Sequence, residues 1–170
     1  TLDGTTDASC NGGSDGTATV SISGGTSPYT FSWTNSSASE VSTDEDPTNL
    51  PADVYSLQVN DANGCSNSFS NIATINEPPA ISYSLDASSD VSCNAGSDGS
   101  ATVTASGGSL TYTTYTWTGQ VTGHSSSGSN PSDLVADTYD LSITDNGGCT
   151  KIFTDVVTIS EPGPISATLS

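Results

Sequence analysis

Positive charge is almost missing from this sequence. Its 170 residues include one lysine, Lys151, no arginine and one histidine, His124, against nineteen aspartates and glutamates, for a formal charge of −18. Binding a phosphate backbone requires cationic side chains to replace its counterions, so nucleic acid is excluded as a partner. Anionic lipid would repel such a chain. No run of about 18 apolar residues occurs, so no membrane insertion is expected. Histidine and thiolate clusters of the kind that hold transition metals are also missing. His124 lies in the polar stretch Gly123-His124-Ser125-Ser126, and the many serines have no base beside them. Acid–base or nucleophilic catalysis needs such groups positioned together, so the chain is read as not an enzyme.

Apolar residues reach only 32%, and weak hydrophobicity with high net charge borders on the composition of disordered chains. The order within the sequence argues for folding. Residues 10–25, CNGGSDGTATVSISGG, and residues 93–108, CNAGSDGSATVTASGG, agree at twelve of sixteen positions, 83 residues apart. Residues 50–65, LPADVYSLQVNDANGC, and residues 134–149, LVADTYDLSITDNGGC, agree at eight of sixteen, 84 apart. Trp33 answers Trp117, Phe69 answers Phe153, and Glu77-Pro78 answers Glu161-Pro162. A fixed period of this kind marks tandem copies of one structural unit.

Within each copy apolar residues alternate with polar ones: Ala18, Val20 and Ile22; Tyr29, Phe31 and Trp33; Tyr55, Leu57 and Val59. A period of two with Gly, Pro, Asn and Asp punctuation predicts short strands. The expected fold is all-β, two tandem immunoglobulin-like β-sandwich repeats of about 83 residues and seven strands each. The repeats are placed at residues 1–80 and 81–164. Residues 165–170, in which Ile165 to Leu169 matches Ile81 to Leu85, are read as the first strand of a following repeat, the pattern expected of a cut through a longer array. The run from Leu50 to Tyr55 has the form of a tyrosine corner, so Tyr55 and Tyr139, with Trp33 and Trp117, are assigned to the cores.

The sequence pattern C-N-x-G-S-D-G-x-A-T-V, Gly-Gly, an aromatic strand ending in Trp, L-x-A-x-x-Y-x-L, D-x-x-G-C and a closing Glu-Pro resembles the SprB-type repeat. That repeat occurs in very large cell-surface adhesins of gliding bacteria. The resemblance implies an extracellular location on a bacterial cell surface and a part in adhesion or motility. It suggests a spacer and surface-contact segment whose partners are neighbouring repeats of the same protein, with surfaces or glycans as candidate targets. Two alternatives belong to other classes: a carbohydrate- or ligand-binding module, with Tyr29, Phe31, Trp33 and Trp117 as a stacking face, and a filament subunit that assembles by strand exchange.

Calcium is the one candidate cofactor, because it takes oxygen ligands from acidic turns. Its candidate ligands are Asp15, Asp98, Asp61, Asp145, Glu77 and Glu161. The same residues are what turns use in any case. The four cysteines are read as disulfides of an oxidising compartment, but their pairing is open. Repeat symmetry suggests Cys10–Cys65 and Cys93–Cys149, one bridge within each unit. Strand direction opposes this, placing Cys10 and Cys65 at opposite poles roughly 20–26 Å apart, whereas a disulfide spans about 4.4–6.8 Å between Cα atoms. Cys10 with Cys149, across a joint between repeats, is the other pairing.

Overall fold

A computed structural model describes residues 1–168 and divides the chain into two compact units, Thr1–Pro78 and Pro79–Ser170. Among the described residues every regular element is a β-strand, and there is no helix long and apolar enough to cross a membrane. The first unit contains β1 (Leu2–Thr6), β2 (Thr17–Val20), β3 (Thr30–Thr34), β4 (Glu40–Ser42), β5 (Asp53–Asn60) and β6 (Ser66–Ile75). The second repeats this order as β7 (Ser82–Ser89), β8 (Ser100–Ser106), β9 (Tyr112–Gly119), β10 (Ser125–Ser127), β11 (Asp137–Asp145) and β12 (Thr150–Ile159).

Each unit is a two-layer antiparallel sandwich of immunoglobulin-like type. One layer pairs β1 with β2, and the other runs β4-β3-β5-β6; the second unit matches with β7-β8 and β10-β9-β11-β12. Beyond β1 the chain crosses to the other layer, where the Ala8 N–H bonds Asn76 O at 2.9 Å, and Val91 repeats this with Ser160 O at 3.0 Å. The alternation in sequence becomes alternation in burial. Along β5 the side chains of Tyr55, Leu57 and Val59 enter the core, as do Tyr139, Leu141 and Ile143 along β11.

Six strands form in each unit where seven were expected. The missing one is the stretch around residues 46–50, which lies beside β2 with only the single bridge Gly16↔Leu50, while the Ala18 N–H reaches Pro47 O at 3.1 Å. Pro47 and its counterpart Pro131 have no N–H to return to the ladder, so the stretch is held by one-way bonds, in the second unit Ala101 N–H to Pro131 O at 3.2 Å and Val103 N–H to Ser129 O at 2.9 Å. The strand expected over residues 165–170 is also not formed over 165–168, which carry no regular structure, and Leu169 and Ser170 lie outside the described residues.

Candidate functional site

The polar residues of the repeat signature gather at the two ends of each sandwich. At the end where β2 begins and β6 finishes, the Asn11 Nδ2 donates to Glu77 Oε1 at 2.7 Å and to Pro78 O at 3.2 Å, and the Gly12 N–H donates to Glu77 Oε2 at 2.6 Å. The second repeat reproduces all three bonds, with Asn94, Glu161, Pro162 and Ala95 at 3.0, 3.2 and 2.6 Å. Asp15 accepts the Ser9 N–H at 2.9 Å, and Asp98 accepts the Ser92 N–H at 2.9 Å. The Ser9 and Ser92 hydroxyls, then their N–H groups, hold both carboxyls below the usual carboxylate range. The glycine that follows is required by space. A Cβ on Gly16 would sit 2.5 Å from Ile75 Cγ2, and one on Gly99 would sit 2.7 Å from Ile159 Cγ2.

At the opposite end, Asp61 ties the β5–β6 turn to the loop before β3. Its Oδ1 accepts the Asn63 and Cys65 N–H groups at 2.9 and 2.8 Å, and its Oδ2 accepts the Thr26 N–H at 3.1 Å. Asp145 does the same for Cys149 at 2.9 Å and Ser109 at 2.8 Å, and is itself buried. The Cys65 N–H lowers the Asp61 pKa and the Ser109 N–H that of Asp145, each an N–H bond that favours the ionised form.

Between the ends, Trp33, Tyr55, Trp117 and Tyr139 are fully buried. The Trp33 Nε1–H donates to Asp44 O at 3.0 Å and that of Trp117 to Gly128 O at 2.9 Å. The Tyr55 hydroxyl donates to Pro51 O at 2.7 Å, and the Tyr139 hydroxyl donates to Val135 O while accepting its N–H, both at 3.1 Å. Burial raises the pKa of both tyrosines. Neither tryptophan is open to a sugar ring, so neither can serve in a stacking face, while Tyr29 and Phe31 are half-buried.

The six candidate calcium ligands thus occupy three pairs of repeat-equivalent positions, each capping backbone or side-chain N–H groups of its own unit. Among the described residues no three His, Cys, Asp or Glu side chains come together as a metal site. His124 is half-buried with its ring edge-on to Tyr139 at 6.3 Å, and its Nε2 has no hydrogen-bond partner among the described residues.

One acidic position was missed. Asp137 is buried, accepting N–H groups from Val121, Thr122 and Thr138 and the Thr122 hydroxyl; despite its burial, these bonds hold its pKa below the usual range. The signal was in the repeated Ala-Asp before each corner tyrosine, where Asp53 caps Val54 N–H at 2.7 Å.

Cys65 and Cys93 are exposed free thiols, so neither within-repeat bridge is formed. Cys10 stands beside the Glu77 end of β6, and Cys65 opens the other end of that ten-residue strand. At about 3.3 Å per residue that is roughly 30 Å, several times the reach of a disulfide. Cys10 and Cys149 are disulfide-bonded residues.

The SprB repeat family model matches residues 3–38 and 85–122. No curated protein sequence matches the chain. Among solved structures, similarity extends to the three N-terminal domains of the Highly Immunogenic Outer Capsid protein of bacteriophage RB49, at 13% identity and TM-score 0.45, covering 91% of this chain and 58% of that one. It extends also to the amphioxus IgVJ-C2 molecule, at 16% identity and TM-score 0.34, covering 91% and 99%. A Dscam structure is similar over 73% of this chain and 36% of its own, at 13% identity and TM-score 0.31. The chain thus spans little more than half the length of the phage protein fragment.

Proposed function

From a chain that carries two SprB repeats, we propose that this segment is an extracellular, non-enzymatic spacer in a bacterial surface adhesin or filament, joined to its neighbours by disulfides. The observation that carries the reading is the use made of the repeated polar residues. Asn11, Asp15, Asp61 and Glu77, with their copies, are spent on closing the two ends of their own sandwich. A signature consumed by the fold is what a repeated structural module requires, and SprB repeats occur in surface proteins. In this reading the six carboxylates serve as turn caps, and the partners are neighbouring repeats, with surfaces or glycans as contact targets.

The cysteines fit the same reading. Cys10 and its copy Cys93 lie at one end of their units, and Cys65 and its copy Cys149 at the other. We place the bridge between Cys10 and Cys149, across the joint between repeats. Pulling the chain by its ends tests this. The bridge would lock the 138 residues between those cysteines out of the extension, and reductant would release roughly 500 Å of contour at about 3.6 Å per residue. Equal extension with and without reductant would remove the joint staple. Specific binding of the chain to a glycan array, abolished by exposed-residue substitutions in one unit, would replace the spacer with the ligand-binding alternative.

A further inference from the structure

Three asparagine–glycine pairs occur in the chain, Asn11-Gly12, Asn63-Gly64 and Asn146-Gly147, and all three are exposed. Asparagine is a thermolabile residue, most of all before glycine, whose nitrogen reaches the asparagine Cγ unhindered by a side chain. The reaction needs that nitrogen free to attack and a side-chain amide free to turn towards it. At Asn11 both are held. Its Nδ2 donates to Glu77 Oε1 at 2.7 Å and to Pro78 O at 3.2 Å, and the Gly12 N–H donates to Glu77 Oε2 at 2.6 Å. At Asn63 both are held again. Its Nδ2 donates to Thr26 Oγ1 at 2.9 Å, and the Gly64 N–H closes the β-turn onto Asp61 O at 3.0 Å. The second unit shifts the pair by one place in the same turn. Asp61-Ala62-Asn63-Gly64 corresponds to Asp145-Asn146-Gly147-Gly148. Here too the fourth residue closes the turn, Gly148 N–H to Asp145 O at 3.1 Å, with Gly64 and Gly148 at φ +81° and +83°. The Gly147 nitrogen therefore stands outside the turn bond. Among the described residues it leans only on the Asp145 carboxylate, which takes firmer bonds from the Ser109 and Cys149 N–H groups at 2.8 and 2.9 Å. The Asn146 N–H is fixed to Thr111 O at 2.8 Å, while its side chain makes no hydrogen bond among the described residues.

We propose that Asn146 is a site of spontaneous deamidation in the folded protein, and that the fold protects Asn11 and Asn63 from the same reaction. The Gly147 nitrogen gives up its proton and bonds to Asn146 Cγ. The Cγ–Nδ2 bond breaks, and the amide takes up a proton and leaves as ammonia. The five-membered imide so formed takes up one water and opens at either carbonyl, to aspartate or to isoaspartate. Water is the only co-reactant. Either product sets a second carboxylate next to the buried Asp145, where like charges oppose each other. Isoaspartate also adds a methylene to the main chain between Asp145 and Cys149, which displaces the Gly148 and Cys149 N–H groups from Asp145. Conversion of Asn146 thus loosens the β11–β12 turn of the second unit. The first unit carries Ala62 at that position and keeps its turn.

Incubation of the full folded chain at neutral pH and physiological temperature, followed by peptide mapping by mass spectrometry, tests it. Asn146 should convert at least about tenfold faster than Asn11 or Asn63, because each of those must first release its held groups. In urea the three rates should converge to within about threefold, since the turns and their hydrogen bonds are then gone. Hydrogen exchange of the amides around the β11–β12 turn should rise in step with conversion. Asn146→Ala, which installs the residue of the first unit, should hold that exchange constant over the same time. An Asn146 that keeps its amide while the unfolded chain loses it, or three sites that convert at one rate in the folded chain, overturns the proposal. Exchange that stays unchanged after full conversion overturns the loosening of the turn.

Discussion

Glu77 holds the Gly12 N–H at 2.6 Å across 65 residues of sequence, and Glu161 holds the Ala95 N–H at the same distance in the second repeat. With the Asn11 and Asn94 amides on the other carboxylate oxygen, each pair ties the entry of the second strand to the exit of the last. Replacing Glu77 by Ala should destabilise the first unit by about 1 kcal/mol, the usual net value of a hydrogen bond, rising if the charge assists. A double-mutant cycle with Asn11→Ala should be clearly non-additive. Additive losses would mean that the two side chains act separately.

The two loops differ in how well they suit their backbone. Gly12 has φ +72° and its counterpart Ala95 has φ +59°. A residue with a Cβ is disfavoured by about 1–2 kcal/mol in the left-handed region, partly offset by the greater freedom of glycine in the unfolded chain. Ala95→Gly should therefore stabilise the second unit by roughly 0.5–1 kcal/mol, and Gly12→Ala should destabilise the first by a similar amount. Denaturant midpoints moving the other way would contradict the assignment.

Trp33→Ala should destabilise the first unit by roughly 3–5 kcal/mol, as large core truncations do, and leave hydrogen exchange in β7–β12 unchanged. A loss under about 1 kcal/mol would place Trp33 at the surface.

Acid should weaken both units through Asp61 and Asp145. The Cys65 and Ser109 N–H groups lower their folded pKa values, so their contribution is present above the unfolded carboxylate range near 3.9 and is lost as pH falls through the folded value. At fixed ionic strength, the stability gap between the protein and Asp145→Asn should be wide at pH 6 and close below about pH 4. A gap unchanged down to pH 2.5 would show that the charge contributes nothing there.

Because the candidate calcium ligands are engaged in turns, calcium should raise the melting temperature no more than magnesium at equal concentration. Both ions relieve the self-repulsion of a charge of −18. A calcium-specific increment would assign at least one carboxylate pair to the ion, since a ligand held only by the folded state stabilises it by mass action.

Periodicity was enough to establish the sandwich, its tandem repetition and its core. Tyr55, Leu57 and Val59 point inward because alternate side chains of a strand share a face, a property local to the chain. The tyrosine corner was legible for the same reason, since Tyr55 reaches Pro51 only four residues back. What the acidic residues do could not be read locally. Asp15, Asp61 and Glu77 have the chemistry of calcium ligands and of turn caps alike, and only tertiary structure shows Glu77 receiving the Gly12 N–H from 65 positions away. The cysteines divided along the same line. Repetition in sequence suggested Cys10 with Cys65, but strand direction sets them at opposite ends of β6. Tertiary structure decided that question because a disulfide is a matter of distance between Cα atoms, and distance along a sandwich is fixed by the whole length of its strands.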